Sequence, residues 1–437
     1  MSGVVLNIYS GLMRLAQPLL RRKMVKRAVQ EPGYDEAVEE RFGHYTQPRE
    51  TSSGLVWLHA VSLGETRTAA ILLKTLREQH PGLRILLTHG TATGRAEGRA
   101  LLQPGDVQVW QPWDTHGVVE RFFEHFKPRL GLLMETEIWP CTVAAAKVRS
   151  IPMVLINGRL SEKSLQQALT MSPLAYPAYA ALTAIYVQTA ADATRYRQLG
   201  VDAKGIFGNL KFDAAPNTEQ RVIGNVWRKD LNQPVVMFAS SREGEEALFL
   251  EQIIATRQQN KAQTAPDLIV IKWLIVPRHP QRFDEVAALV EQSGLTLSRR
   301  SSWSSSPHEN TEAIQADVWL GDTLGEMPLY YGLSDVALLG GSFEKFGGQN
   351  LIEAAACGCP VVMGPHTFNF LEAADLAEAA GAAHRVTDMA GAVGWAVHCV
   401  NDREAQTRMS LFAVSFASTH QGATQRTVAA LHVYLCQ

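Results

Sequence analysis

The chain has 437 residues, 46% of them apolar and 19% charged, with 41 Lys+Arg against 43 Asp+Glu. Such a composition excludes a disordered chain, and the length allows two or three domains at roughly 150 residues each. A net charge of −2 argues against a dedicated nucleic-acid binder, which carries a basic excess. The five cysteines are an odd, sparse set and form no disulfide framework, which fits a reducing compartment. Cys357 and Cys359 have a metal-like spacing, but no second ligand pair lies near them in sequence, so they read as small core residues.

In chain order, residues 1–30 come first, with six basic side chains (Arg14, Arg21, Arg22, Lys23, Lys26, Arg27) and no acidic one. Residues 4–20 are mostly apolar but include Asn7, Arg14, Gln17 and Pro18, too polar for the roughly 20 apolar residues of a spanning helix. A secretory signal's charged start and cleavage site are also missing. The stretch reads as a helix lying in a membrane interface, with Leu6, Tyr9, Leu12, Met13 and Leu20 inserted. The basic cluster would then sit on anionic headgroups, and the body would be cytoplasmic. The alternatives are an amphipathic helix packed on the body and a disordered leader.

From residue 55, short apolar runs alternate with helical stretches. Strands are expected at 55–61, 84–88, 130–134, 151–157 and 184–188, and helices at 66–79, 116–126 and 190–199. A polar stretch follows at 214–220. A second series then has strands at 234–239, 268–276, 318–321, 336–339 and 360–363, and helices at 243–258, 282–292 and 349–356. This alternation predicts α/β architecture with doubly wound parallel sheets. The expected domains are 31–213 and 234–437, joined by a linker at 214–233, with the last helix free to pack back on the N-terminal half. The serine-rich patch 301–306 reads as a mobile surface loop. Ligands of open α/β sheets bind beyond the strands' carboxyl ends, so two such domains facing each other would make a cleft for two substrates.

Polar residues recur at those ends. Ser62-Leu63-Gly64-Glu65 follows the first strand, where Glu65 is either a general base for a hydroxyl or an acid complementing a helix dipole. Met134 to Pro140 brings Glu135 and Glu137 to the end of another strand. These acids could hold a cation, orient a sugar or shape a pKa, or one could cap the next helix while the other is solvated. Lys211, within Gly208 to Asp213, could meet an anionic ligand or simply lie on the surface. In the second half, Pro277 and Arg278 follow the long strand, and Gly321 to Glu326 follows the next, with Leu324, Gly325 and Glu326 in that loop. Gly340-Gly341 and Gly347-Gly348 precede Asn350, Leu351, Ile352 and Glu353. Free N–H groups at such a helix start suit phosphate, and Glu353 could point at a ribose. The chain has neither a G-x-G-x-x-G opening the first strand–helix unit nor a P-loop, H-E-x-x-H or G-x-S-x-G motif.

With these residues in place, the sequence resembles the 3-deoxy-D-manno-octulosonic acid (Kdo) transferases over nearly its whole length. The likeness rests on His59 to Glu65, Met134 to Pro140, Gly208 to Asp213, Pro277 to Pro280, Gly321 to Glu326, Gly347 to Glu353 and Gly364 to Phe370. The resemblance implies a GT-B fold and an inverting transfer of Kdo from CMP-Kdo to a lipid A precursor, lipid IVA, without metal or other cofactor. It implies acceptor binding in the N-terminal half, CMP-Kdo in the C-terminal half, and an N-terminal anchor on the cytoplasmic side of the inner membrane. Carried over residue by residue, it makes Glu65 the proton acceptor and Glu135 and Lys211 the transition-state residues. Pro277, Arg278, Leu324, Gly325, Glu326, Asn350, Leu351, Ile352 and Glu353 become the CMP contacts. Cys141 stands where many members have Asn, and Arg242 stands where His is expected. The rival readings are a nucleotide-sugar epimerase, another lipid-linked sugar transferase, and a non-catalytic membrane-surface adaptor.

Overall fold

A computed structural model describes residues 2–262 and 270–436. The chain forms two compact units, Met1–Asp213 with His420–Gln437, and Ala214–Thr419.

The first unit is built on seven parallel strands: β1 (Leu55–His59), β2 (Arg84–His89), β3 (Val107–Trp110), β4 (Leu130–Met134), β5 (Met153–Gly158), β6 (Ala184–Val187) and β7 (Gly205–Ile206). They lie in the order β3-β2-β1-β4-β5-β6-β7. β1 and β4 are buried at every residue, as apolar runs covered on both faces must be. On one face Trp57 packs with Phe122, Phe123 and Phe126. On the other, Leu58, Leu72, Leu76, Leu132 and Leu431 share a core. The short strands β3 and β7 were not expected: β3 contains Gln108 and is buried at only two of its four residues, and β7 has two residues.

Helix Ala423–Leu435 belongs to this unit and packs against helix Leu63–Gln79. Asp213 fixes its start by accepting from the Gly422 and Thr424 N–H groups.

At the N-terminus, helices Ser2–Leu15 and Gln17–Gln30 replace any disordered leader. The Ser10 hydroxyl accepts from the His116 N–H at 3.0 Å, and Trp113 Nε1 donates to the Met13 carbonyl at 3.0 Å. Leu6 and Tyr9, expected to insert into a membrane, instead pack against the aromatic core. The outward face is Val4, Ile8, Leu12 and Leu15, each more than half exposed at 59–77%. Among the described residues, no helix is long and apolar enough to cross a membrane.

The second unit holds β8 (Val235–Ser241), β9 (Lys272–Pro277), β10 (Leu297–Arg299), β11 (Val318–Leu320), β12 (Val336–Leu339), β13 (Val361–Met363) and β14 (Ala383–Arg385). The parallel order is β10-β11-β9-β8-β12-β13-β14. Phe238, Phe249, Trp273, Ile275, Val336 and Leu338 fill its core. The expected strand at 268–276 begins at Lys272, and its first two residues lie outside the described ones.

Two expectations are corrected here. Residues 214–233 are mostly helix Thr218–Asp230, N-capped by Asn217 and packed on helix Met327–Leu333. The pairing is close because Gly224 meets it: a Cβ there would lie 2.2 Å from the Leu329 carbonyl oxygen. The serine patch is pinned rather than loose. Ser301 donates its N–H and hydroxyl to Asp322, and buried Trp303 donates to Ser298 Oγ at 2.8 Å.

Candidate active site

In the first sheet the strand order reverses between neighbouring β1 and β4, the place where open α/β sheets collect ligands. The loops after these two strands carry Glu65 and Glu135. Ser62 caps helix Leu63–Gln79, its hydroxyl accepting from the Glu65 N–H. The Glu65 carboxylate reaches back, taking the Val61 N–H at 2.9 Å and the Ser62 hydroxyl at 3.0 Å. This is a variant of the capping box, with the carboxylate on the N–H one residue before the cap, so the helix-terminus reading of Glu65 is correct. It does not exhaust the residue, because burial, then the Glu135 charge, pushes the carboxyl up to about 7. A carboxyl titrating there suits proton acceptance near neutral pH.

Glu135 follows β4 with φ +57°, a left-handed conformation that costs a non-glycine residue roughly 1–2 kcal/mol. Its N–H and carbonyl are tied across to the β5 strand and the residue after it, at Ile156 and Arg159. These bonds hold the strained backbone, and with it the direction in which the side chain leaves. There Lys211 Nζ donates to Glu135 Oε1 at 3.2 Å. Lys211 sits on the short turn Leu210–Asp213, which Asn157 Oδ1 anchors by accepting the Leu210 N–H at 3.0 Å. The surface reading of Lys211 is thus replaced by a half-buried ion pair. Glu137 accepts from Trp139 Nε1 at 3.0 Å, and burial pushes its carboxyl up from the usual range. It neither caps the next helix nor lies free in solvent.

In the second unit the carboxyl-end loops also gather, after β8, β9, β11 and β12. Pro277 is the last, buried residue of β9, and Arg278 follows it half-buried, donating its N–H to the Ser241 carbonyl. Leu324 is 74% exposed and Gly325 has φ +79°, so this loop tip is open to solvent. Glu326 is held by Arg300 at 3.0 Å and by Thr323. Asn350 caps helix Leu351–Ala356, its Oδ1 taking the Ile352 N–H at 3.1 Å. The Leu351 and Ile352 side chains lie in the core, so only their backbone is available to a ligand.

Glu245 is the residue that sequence reasoning passed over in favour of its neighbour Arg242. Fully buried, it accepts N–H bonds from Arg242, Gly341, Phe343 and Glu344 at 2.7–3.2 Å. Its carboxylate ties the β8 loop to the Gly340-Gly341 loop at the second sheet's reversal point. The signal available in sequence was the acidic pair Glu245-Glu246 following a strand end. Arg242 lies over the Phe346 ring at 4.3 Å and pairs with Glu243.

Comparison with known proteins bears on the family and the fold. Residues 36–214 match the family described as 3-deoxy-D-manno-octulosonic-acid transferase (kdotransferase). A 3-deoxy-D-manno-octulosonic acid transferase of Bordetella pertussis is 44% identical, over 98% of this chain and 99% of its own. One from Haemophilus influenzae is 31% identical over 98% of each chain. Among solved structures, the UDP-GlcNAc 2-epimerase of Neisseria meningitidis aligns with a TM-score of 0.55, covering 86% of this chain and 99% of its own. At 14% identity that likeness shows the shared two-domain GT-B type of fold and not the activity. Identity sustained over nearly the whole of both chains shows that this protein belongs to the 3-deoxy-D-manno-octulosonic acid transferase family, and it is a glycosyltransferase.

Proposed function

We propose that the enzyme transfers Kdo from CMP-Kdo to a hydroxyl of a lipid A precursor, lipid IVA, with inversion at the anomeric carbon, in lipopolysaccharide biosynthesis. The observation that carries this reading is Glu65, a half-buried carboxyl with its pKa near 7 at the sheet's reversal point. As the acceptor oxygen bonds to the anomeric carbon, its proton passes to Glu65. The bond from that carbon to the phosphate oxygen breaks, and CMP leaves with the electron pair. A sugar hydroxyl is too weak an acid to ionise first, so the proton moves only as the new bond forms.

Positive charge builds on the sugar during this step and negative charge on the departing phosphate. Glu135 favours the first, and Lys211, held against Glu135, meets the Kdo carboxylate or the phosphate. Arg278 serves the leaving phosphate, with Leu324, Gly325, Glu326, Asn350 and Glu353 around the nucleotide. Preorganised charges of this kind typically contribute about 10²–10³ each in rate. Asn350 already takes the Ile352 N–H, so that donor is not offered to the phosphate.

The same reading places the enzyme on the cytoplasmic side of the inner membrane, lying on it through the N-terminal helices. The support is the exposed stripe Val4, Ile8, Leu12 and Leu15, followed by Arg22, Lys23 and Lys26. An apolar row beside a basic one is the pattern of a helix in an anionic interface. The decisive experiment is transfer from CMP-Kdo to lipid IVA by wild type and Glu65→Gln, with donor binding measured alongside. Loss of transfer with CMP binding retained is the expected result; full activity in a folded Glu65→Gln enzyme would overturn the base assignment.

A further inference from the structure

We propose that His80, His432 and Cys436 form a zinc site that clamps the last helix to helix Leu63–Gln79. His80 is the C-terminal cap residue of helix Leu63–Gln79. His432 and Cys436 lie four residues apart at the end of helix Ala423–Leu435, the spacing that puts two side chains on one helix face. One ligand atom from each of the three comes within 4.8 Å of the others. The His80 and His432 rings lie 5.6 Å apart, and the Cys436 sulfur sits 3.4 Å from His432 Nε2.

Two imidazoles and a thiolate are the donor set zinc prefers, at about 2.0–2.1 Å for nitrogen and about 2.3 Å for sulfur. Around a tetrahedral ion these bond lengths put neighbouring donors about 3.3–3.6 Å apart. The His432–Cys436 separation already meets that, and the remaining closure is within reach of side-chain rotation. A second observation points the same way. His80 Nε2 is buried and has no hydrogen-bond partner, a state that normally carries a cost. A metal ion bound through that nitrogen would satisfy it.

The scaffold around the cluster is fixed before any ion arrives. The two helices pack together, Arg129 donates to the Leu435 carbonyl at 2.7 Å, and the Cys436 N–H bonds to the His432 carbonyl. Because His432 and Cys436 are exposed, the fourth position is open to water. On binding, the Cys436 thiol gives its proton to solvent as the Zn–S bond forms. The site lies at the far end of the helix that begins with Glu65's capping box, roughly 25 Å away at 1.5 Å per residue. It takes no part in the transfer chemistry and acts on the stability of the first unit.

The test uses the full chain without a histidine tag, stripped with chelator, loaded with Zn²⁺ and freed of excess ion. About one zinc per chain should remain by elemental analysis, and the melting temperature should rise. Cys436→Ser and His432→Ala should each weaken zinc binding at least about 100-fold in competition with a chromogenic chelator. Both side chains are exposed, so circular dichroism should find these variants folded. Replacing zinc by Co²⁺ should give a thiolate-to-metal charge-transfer band that Cys436→Ser abolishes. A wild type that keeps no more zinc than the variant lacking all three side chains overturns the proposal, as does a cobalt spectrum without the thiolate band.

Discussion

At Glu65 one carboxylate both closes the capping box and sits where a proton acceptor is needed, so its pKa links stability to activity. The folded-state value of about 7 lies above the ordinary 4.5, so the folded state holds a proton that the unfolded chain has released. The contribution of Glu65 to stability is therefore full below about pH 4.5 and is lost as pH rises toward 7. Activity runs the other way, since only the ionised form accepts a proton. Transfer by wild type should rise through pH 7 and level off above it. Glutamine can keep the cap without the charge, so Glu65→Gln should melt higher than wild type at pH 8, by a margin that shrinks toward pH 5. No difference at pH 8 would mean that the carboxyl is not held above its ordinary range. The sequence offered both readings of Glu65 but not the shift. That shift arises from burial and from Glu135, which is 70 positions away in sequence and beside it only because β1 pairs with β4. Lys211 was legible as a candidate for the same reason in reverse: its motif showed, but its ion pair with Glu135 did not.

At the scale of elements, two contacts that periodicity does not reveal hold the second unit together. Helix Thr218–Asp230 was expected as linker because its sequence is polar and its closest contact is made by Gly224, which adds nothing to an apolar pattern. Gly224→Ala should force the helix off Leu329 and destabilise the unit by about 1–3 kcal/mol, read from urea unfolding. Unchanged stability would mean that the pair is looser than described. Glu245 joins two loops through four backbone N–H groups. Glu245→Ala leaves those donors unpaired, two of them buried, and should cost about 3 kcal/mol or more. Its neighbourhood was legible as a strand end, but its role depends on the β12 loop, nearly a hundred residues later.

Across the whole molecule, both seven-stranded sheets were legible at their centres, where the apolar runs are long. They were not legible at their edges, where β3, β7, β10 and β14 are short and only partly buried, so no apolar run marks them. The assignment of the final helix to the first unit rests on Asp213 and on packing against helix Leu63–Gln79, contacts no local pattern encodes. The N-terminal helices show the same mixture. Their basic residues and apolar character were plain, but which face points outward was set by Ser10, Tyr9 and Met13 meeting the body. Replacing Ile8 and Leu12 together by Glu should reduce binding to anionic vesicles at least tenfold, given about 1.5–3 kcal/mol for each buried apolar side chain. Replacing Leu6 and Tyr9 should instead unfold the helix from the body. Equal vesicle binding by the Ile8/Leu12 double variant would remove this face from the membrane.

The most direct test of the proposed chemistry is a transfer reaction with CMP-Kdo generated in place and lipid IVA as acceptor, comparing wild type with Glu65→Gln by product mass. Wild type should add whole Kdo increments, and their number reads out how many units are transferred. The variant, folded and binding CMP, should be slower by at least about 100-fold. Equal increments from both proteins would contradict Glu65 as the base. No increment from a wild type that binds CMP would contradict the acceptor.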